Sequence, residues 1–497
     1  MPTILGANSV SGYEVANSGN FGSDGMFLTR SQSDNESDTD RRKFTISGWY
    51  KQTFQGSASG WNGFWSAAAD GNNYTSLKKN NNTLGNSRLI FGLKISGTEV
   101  TFTTTQEFRD PTAWYNIVCA FDSTDGTAAD RFKLYVNGER AAGAFSADIT
   151  QNVSAHWGDD ASAGRVGAYN NNSGGSYMHN GYMADVAMTV GYAHGPDKFG
   201  ETDSNGFWIP INPAISYSAN GFKLEFKETG ASANASGFGA DTSGNTNHFT
   251  IDNDDGDIAY GGGKTDTPTN NFNVFNPFAI NRDKPITGLS QGGLVPFDTQ
   301  NDAHRIVGSI MAFQKGKWYM ECKYSGGTNV VTFGLLDIDN RFATQVWYTS
   351  GGSFPGAPSD GNSFGYRQDG NLFTNGNTTS GKTTWASNGD FLGLAIDCDN
   401  NAIYAHVNGT YVDSGDPTSG ASKTGSLSNF TQTGFMMPAI SVKATGYNGA
   451  YVNFGSPAND DSGVTNSNAD ANGHGKFQYA VPSGYFALCS KNLAEYG

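Results

Sequence analysis

The carboxylates Glu201 and Asp203 are the nearest approach in this chain to a catalytic pair. A glycosidase that carries its acid and base on one β-strand needs the spacing Glu-x-Asp-x-x-Glu, because alternate side chains of a strand face the same cleft. Here Gly206 stands where the third carboxylate would be, and the surrounding residues are typical of a turn. We therefore predict that the chain has no catalytic residues of this kind and is not an enzyme.

Other metal and hydrolase sites also lack their minimal spacing. The chain has no His-x-His, no His-Glu-x-x-His and no Cys-x-x-Cys. Two acidic segments, 34–40 and 252–257, could attract calcium. In the second, an EF-hand loop would need Gly at its sixth position and Glu at its twelfth, where Asp257 and Gly263 stand. We predict no cofactor, and calcium stays an open alternative to which no ligand residue is assigned.

Aromatic residues in polar loops are the remaining candidates for ligand binding. An aromatic ring stacks on the C–H face of a sugar, while Asn, Asp and Gln fix the sugar hydroxyls. Three loops have this composition: AHWGDD at 155–160, GAYNNNSGGSY at 167–177 and TQVWYTSGGSFPG at 344–356. From them we predict glycan contacts at five residues: Trp347, Tyr348, Trp157, Tyr169 and Asn170. The competing interpretation is that such rings cap the core at strand ends.

The charge of the chain restricts its partners. A formal net charge of −15 at pH 7 argues against nucleic acid, because phosphate binding needs clustered Lys and Arg. The N-terminal sequence has no basic region followed by a long apolar core, and no later segment approaches about 18 uninterrupted apolar residues. We expect a soluble protein without a cleaved signal or membrane insertion.

Two hairpins must organise the fold that positions these loops. RFKLYVNGER at 131–140 and NAIYAHVNGTYV at 401–412 both alternate apolar and polar residues and run into Asn-Gly, a strong signal for a two-residue turn. Each is preceded by an apolar run, 115–121 and 391–397, typical of a buried strand. With 66 glycines in 497 residues, the pattern predicts an all-β fold with two antiparallel β-sandwich, jelly-roll-like domains in series.

The first half resembles a known fold family. Its pieces FTISGWYK, WYNIVCAFDST, RFKLYVNGER and GYMADVAMTVGYA occur between residues 27 and 193 in the order of the concanavalin A-like, laminin-G-type jelly roll. The resemblance implies two stacked antiparallel sheets, often with a sugar or calcium site on the rim. No calcium ligand is carried over, because the positions of these ligands vary within the family.

A connector follows at 198–277. Its pieces FGETDSNGFWIP, NGFKLEFKE, GADTSGNTNHFT and TDTPTNNFNVFNP resemble the segment that joins a laminin-G-like domain to a SPRY-like domain in structural proteins of marine tailed bacteriophages. The second half is similar to the SPRY domain in its pieces GKWYME, GDFLGLAIDCDN and PAIS with VNFG. The closing segment at 479–493 also looks like the end of the phage proteins.

These resemblances imply three parts: a concanavalin A-like domain at 1–197, the connector module at 198–277 and a SPRY-like domain at 278–497. The expected protein is a non-enzymatic phage virion surface protein, either a tail fibre or adhesin or a capsid decoration, for host attachment. Its expected partners are other virion proteins, further copies of itself and host-surface glycan. The alternative is a polysaccharide-degrading enzyme on a concanavalin A-like fold.

Overall fold

The chain forms two compact units, Met1–Thr269 and Asn270–Gly497. The structure, a computed structural model, describes residues 12–21, 26–33, 36–52, 61–80, 87–169, 177–253, 262–280, 284–298, 303–327, 330–338, 354–357, 363–428, 430, 434–443, 449–458 and 462–497. Both units are built mainly from antiparallel strands, and the predicted all-β fold class is confirmed.

The described part of the first unit contains strands β1 to β19. They are β1 (Gly19–Phe21), β2 (Met26–Ser31), β3 (Lys43–Gln52), β4 (Trp61–Asp70), β5 (Asn73–Asn80), β6 (Leu89–Ile95), β7 (Thr98–Thr104), β8 (Tyr115–Asp122), β9 (Phe132–Val136), β10 (Glu139–Arg140), β11 (Gly143–Phe145), β12 (Ala163–Val166), β13 (Ala168–Tyr169), β14 (Tyr177–Met178), β15 (Gly181–Val190), β16 (Gly200–Thr202), β17 (Trp208–Pro210), β18 (Phe222–Leu224) and β19 (Thr250–Asn253). Short 3-10 helices span Asp40–Arg42, Ala128–Asp130 and Pro196–Lys198.

Two large sheets face each other in this unit. The seven-stranded sheet has the order β1-β15-β3-β8-β9-β10, with β18 also paired to β15. The eight-stranded sheet has the order β11-β7-β6-β5-β4-β12-β2-β19. The core is formed by alternate side chains of both sheets, and Phe91 of β6 stacks on Phe132 of β9 with ring centroids 3.8 Å apart.

The predicted hairpins are confirmed. Asn137 and Gly138 join β9 to β10 and have φ of 48° and 82°. Positive φ at both central residues is what a two-residue type I′ hairpin turn requires. The apolar run before them is β8, which lies between β3 and β9 and is buried along its length except at its ends. In the second unit, Asn408 and Gly409 repeat this turn with φ of 50° and 84°.

Much of the predicted connector completes the first sandwich. β18 pairs with β15 in one sheet, and β19 pairs with β2 at the edge of the other. Phe238 and Phe249 are fully buried in the same core. The division into compact units therefore falls between residues 269 and 270 of the chain, while the domain boundaries at 197 and 277 stay predictions from sequence.

A buried ion pair fastens residues 264–269 to this sandwich. The Lys51 Nζ on β3 lies 2.7 Å from Asp266 Oδ2, and both side chains are fully buried. Trp114 Nε1 donates a hydrogen bond of 3.1 Å to Asp266 Oδ1. Since a buried charge without its partner is costly, this pair holds the end of the unit in place.

The described part of the second unit contains strands β20 to β34 and the helix α1. They are β20 (Phe275–Ile280), β21 (Gly288–Ser290), β22 (Val295–Phe297), β23 (Arg305–Ser309), β24 (Lys317–Tyr324), β25 (Val330–Asp337), β26 (Phe364–Arg367), β27 (Leu372–Thr374), β28 (Asn377–Thr379), β29 (Phe391–Asp397), β30 (Ala402–Val407), β31 (Thr410–Tyr411), β32 (Met436–Lys443), β33 (Ala450–Asn453), β34 (Phe486–Ala487) and α1 (Ser490–Tyr496). Short 3-10 helices span Gln291–Gly293, Val412–Ser414 and Gly420–Ser422. One sheet has the order β20-β23-β32-β25-β26-β27-β28 and the other β31-β30-β29-β24-β33, with β34 parallel to β24.

A buried polar chain ties the closing segment of this unit to its sheet. The backbone N–H of Gly409 donates to His406 Nδ1, so Nε2 carries the proton and donates to Tyr319 Oη at 2.7 Å. Tyr319 Oη donates to Glu321 Oε1 at 2.9 Å. Glu321 also accepts the backbone N–H groups of Gln478 and Tyr479. Burial lowers the pKa of His406 to about 4, which keeps the imidazole neutral in this chain of bonds.

We predict that Asp266→Ala lowers the free energy of unfolding by about 3–5 kcal/mol, because it leaves the Lys51 ammonium buried without its partner. The measurement is urea unfolding followed by circular dichroism. The matched control is Asp130→Ala, which removes a half-exposed ion pair with Arg140 and should cost less than about 1 kcal/mol. Equal losses in the two variants would contradict the role given to the buried pair.

Candidate functional site

Three of the five predicted glycan contacts lie outside the described residues. They are Trp347, Tyr348 and Asn170. The other two, Trp157 and Tyr169, both belong to the first unit but occupy different environments, so the structure does not bring them together in one site.

Trp157 is a core residue. Its side chain is fully buried, with ring centroids 6.2 Å from Trp65 and 5.9 Å from Phe222. Gln32 holds the surrounding loop inward, because its side chain accepts the N–H of Gly158 and donates to the carbonyl of His156. The prediction of Trp157 as a glycan contact is therefore wrong: the ring fills the core, as in the competing interpretation.

Tyr169 lies in a group of aromatic residues around a lysine. We call this group the Lys78 cluster, and it consists of Trp61, Tyr74, Lys78, Tyr169 and Tyr177. The Lys78 Nζ lies 4.0 Å from the centroid of the Tyr169 ring and 4.6 Å from that of Trp61. Tyr177 stacks on Tyr169 at 5.8 Å, with an angle of 14° between the rings. The result is a continuous ladder of rings and one cation.

Strand alternation places this cluster on the outer face of the eight-stranded sheet. In β5, Leu77 points into the core, so Tyr74, Ser76 and Lys78 share the opposite face. The β13–β14 hairpin pairs Tyr169 with Tyr177 and lies against β4 and β5. The rings therefore come from three separate parts of the chain.

The floor of the cluster is tightly packed. Ser76 lies opposite Gly92, where a Cβ atom would be 3.4 Å from Ser76 Oγ and 3.0 Å from Glu99 Oε1. The Ser76 hydroxyl is buried and has no hydrogen-bond partner among the described residues. A side chain larger than hydrogen at Gly92 would displace the polar groups beside that hydroxyl.

Burial changes the pKa values of the tyrosines and the lysine in this cluster. Burial raises the pKa of both Tyr74 and Tyr169, so their hydroxyls stay protonated at neutral pH. Burial also lowers the pKa of Lys78, against the attraction of the exposed carboxylate of Glu99. Because Trp61 and Tyr177 are half-buried, their rings offer apolar faces beside a polar rim. Tyr74, Lys78 and Tyr169, one of the predicted glycan contacts, are themselves buried, so the accessible groups of the cluster are the ring faces of Trp61 and Tyr177, on which the C–H face of a sugar ring can stack.

Sequence reasoning reached Tyr169 but missed its partners. The segment NYTSLKKN at 73–80 does carry the period-2 signal, with Tyr74, Ser76 and Lys78 at alternate positions. What the sequence did not indicate is that β13, which carries Tyr169, lies against this strand.

The predicted acidic segments are only partly described. In segment 34–40, Glu36 accepts the backbone N–H of Asn220 at 2.6 Å, and Asp38 pairs with Arg41. Residues 254–257 of the second segment lie outside the described residues. The carboxylate of Asp203 accepts the N–H groups of Asn205 and Phe207 within a turn. In the described part of the chain, no three His, Cys, Asp or Glu residues are placed to hold a metal ion together.

The helices that are described are too short or too polar to cross a bilayer.

Comparison with known proteins finds one family model that matches part of the first unit. Residues 24–189 match the family model of the concanavalin A-like lectin/glucanases superfamily, of the laminin G type. No curated protein matches the chain.

Several solved structures are similar in fold. The SPRY domain of human HERC1 is 12% identical, with 36% of this chain and 96% of that one covered and a TM-score of 0.26. A Bacteroides ovatus protein proposed to bind carbohydrate is 17% identical, with 50% and 62% covered and a TM-score of 0.33. Domains LG4-5 of the mouse laminin alpha1 chain are 10% identical, with 89% and 97% covered and a TM-score of 0.28. These likenesses are of fold alone. Residues 24–189 of the first unit thus match the laminin G type of the concanavalin A-like superfamily.

Proposed function

We propose that this chain is a non-enzymatic surface protein of a bacteriophage virion that binds glycan through its first sandwich for host attachment. The observation that carries the binding role is the Lys78 cluster, in which the half-buried rings of Trp61 and Tyr177 flank a lysine and two protonated tyrosines. The matched superfamily includes lectins, which supports the same ligand class.

The virion role rests on sequence resemblance. The four connector pieces between residues 198 and 277 resemble those of phage structural proteins, and they carry this proposal. The partners would be other virion proteins and further copies of the chain, and its location the virion surface, as a tail fibre or a capsid decoration. A polysaccharide-degrading enzyme stays the second candidate, because the matched superfamily also includes glucanases.

We predict that a Trp61→Ala, Tyr177→Ala double variant binds host-surface polysaccharide about tenfold more weakly than the parent, because both open ring faces are lost. Binding is measured on immobilised polysaccharide, and reducing ends released during the assay are counted to detect cleavage. The control is Tyr192→Ala, since Tyr192 is 51% exposed and lies outside the cluster. Unchanged binding in the double variant, with an unchanged melting temperature, would contradict the proposed site. Release of reducing ends would instead favour the enzyme.

The proposed location on the virion surface can be tested separately. We expect antibodies against this chain to decorate phage particles in electron microscopy, at the tail tip for a fibre or over the head for a capsid decoration. The particles would come from a phage that encodes the chain. If these particles bind no antibody, the virion role is contradicted, whatever the glycan assay shows.

A further inference from the structure

A pocket of the first unit lies on the outer face of the seven-stranded sheet. It has a volume of about 430 Å³, within the range of small-molecule sites, and its walls include Tyr13, Asn212, Tyr217, Glu225 and Thr242. Lys223 of β18 lies at its base, because its neighbours Phe222 and Leu224 point into the core and Lys223 points outward. The Lys78 cluster belongs to the other sheet, so the two sites do not overlap.

Lys223 at the base of the pocket pairs with an irregular part of β15. The pairing of β15 with β3 shifts register between Ala184 and Ala187, and Asp185 within this bulge has φ of 47°. Bulges and positive φ at a residue other than glycine persist where the surroundings enforce them, often beside a functional site. Here the bulge turns a buried carboxylate toward Lys223, whose Nζ lies 3.4 Å from Asp185 Oδ1.

All three N–H groups of the Lys223 ammonium donate to other groups of the protein. Its Nζ donates to Glu225 Oε1 at 2.9 Å and to Tyr13 Oη and Asn212 Oδ1 at 3.1 Å each. Burial alone would lower the pKa of Lys223, but Asp185 and Glu225 outweigh it and raise the pKa, so the ammonium stays charged. Lys223 therefore fixes the positions of the pocket's polar groups and has no N–H left for a ligand.

Other groups remain open to a ligand. Within the described protein, no hydrogen bond is made by Asn212 Nδ2, Glu225 Oε2 or the Tyr217 hydroxyl. The Thr242 hydroxyl donates to the carbonyl of Lys223 and can still accept. The half-buried ring of Tyr217 adds an apolar wall. Donors, acceptors and a ring in one small pocket match a cyclic polyol, whose hydroxyl groups both donate and accept.

The charge of the pocket selects among such ligands. One lysine and two carboxylates, Asp185 and Glu225, leave an excess of one negative charge when all three are ionised. An acidic sugar would meet this excess with no free cation to offset it, because the bonds of Lys223 are already used.

We propose that the pocket between Tyr13, Tyr217 and Glu225 binds a single neutral sugar unit and rejects acidic sugars. The inference shares with the proposed function only the class of ligand, and it concerns a different surface of the unit.

The test is titration of the full chain with the methyl glycosides of glucose, galactose and mannose and with glucuronate, followed by saturation-transfer difference NMR. At least one neutral glycoside should bind, and glucuronate should bind at least about tenfold more weakly. Tyr217→Ala should weaken the neutral sugar about tenfold. Tyr217→Phe keeps the packed ring and removes only the hydroxyl, so it should weaken binding about threefold without changing the melting temperature. Tyr192→Ala is the matched control.

Three results would overturn the inference: no neutral glycoside binds, Tyr217→Ala binds as the parent does, or glucuronate binds as tightly as the best neutral sugar. Loss of monosaccharide binding in the Trp61→Ala, Tyr177→Ala variant would also overturn it, since the sugar would then lie on the Lys78 cluster. Failure of this pocket would leave polysaccharide binding at that cluster untouched, so the two proposals fail separately.

Discussion

The ion pair between Asp185 and Lys223 is the interaction on which the first unit's architecture depends. β15 pairs with β3 along one side, while its other side is shared by β1 up to Met183 and by β18 from Val186. Asp185 stands between these two partners, at the bulge. Its buried carboxylate is tolerable only because Lys223 and Tyr13 face it, so the pair commits β18 and the N-terminal segment to the same edge.

Buried carboxylates also hold other segments of the chain against the sheets. Asp266 is buried against Lys51, and in the second unit Glu321 accepts bonds from Tyr319 and from the backbone at Gln478. Each of these carboxylates lies far in sequence from most of its partners. Polar groups fully satisfied by distant segments specify one arrangement of the chain, because any other arrangement leaves a buried charge or donor unpaired.

Local signals explain how much could be predicted from sequence. The Asn-Gly hairpins at 137 and 408 and the apolar strands before them depend on turn chemistry and on neighbours a few residues away, and they were predicted correctly. Trp157 was misread because its polar neighbours suggested an exposed loop, whereas Gln32, 125 residues earlier, holds that loop against the core. The Lys78 cluster and the pocket at Lys223 bring together residues whose contacts depend on the order of strands in the sheets, and the sequence alone does not encode that order in any local pattern.

We propose that the outer faces of the first sandwich bind carbohydrate, and this can be tested by a crystal structure of the full chain soaked with neutral oligosaccharides. We expect sugar density stacked on Trp61 or Tyr177, with Glu99 at the polar rim in hydrogen-bond contact. Density confined to the second unit, or a well-diffracting crystal with an open first unit and no bound sugar, would contradict it.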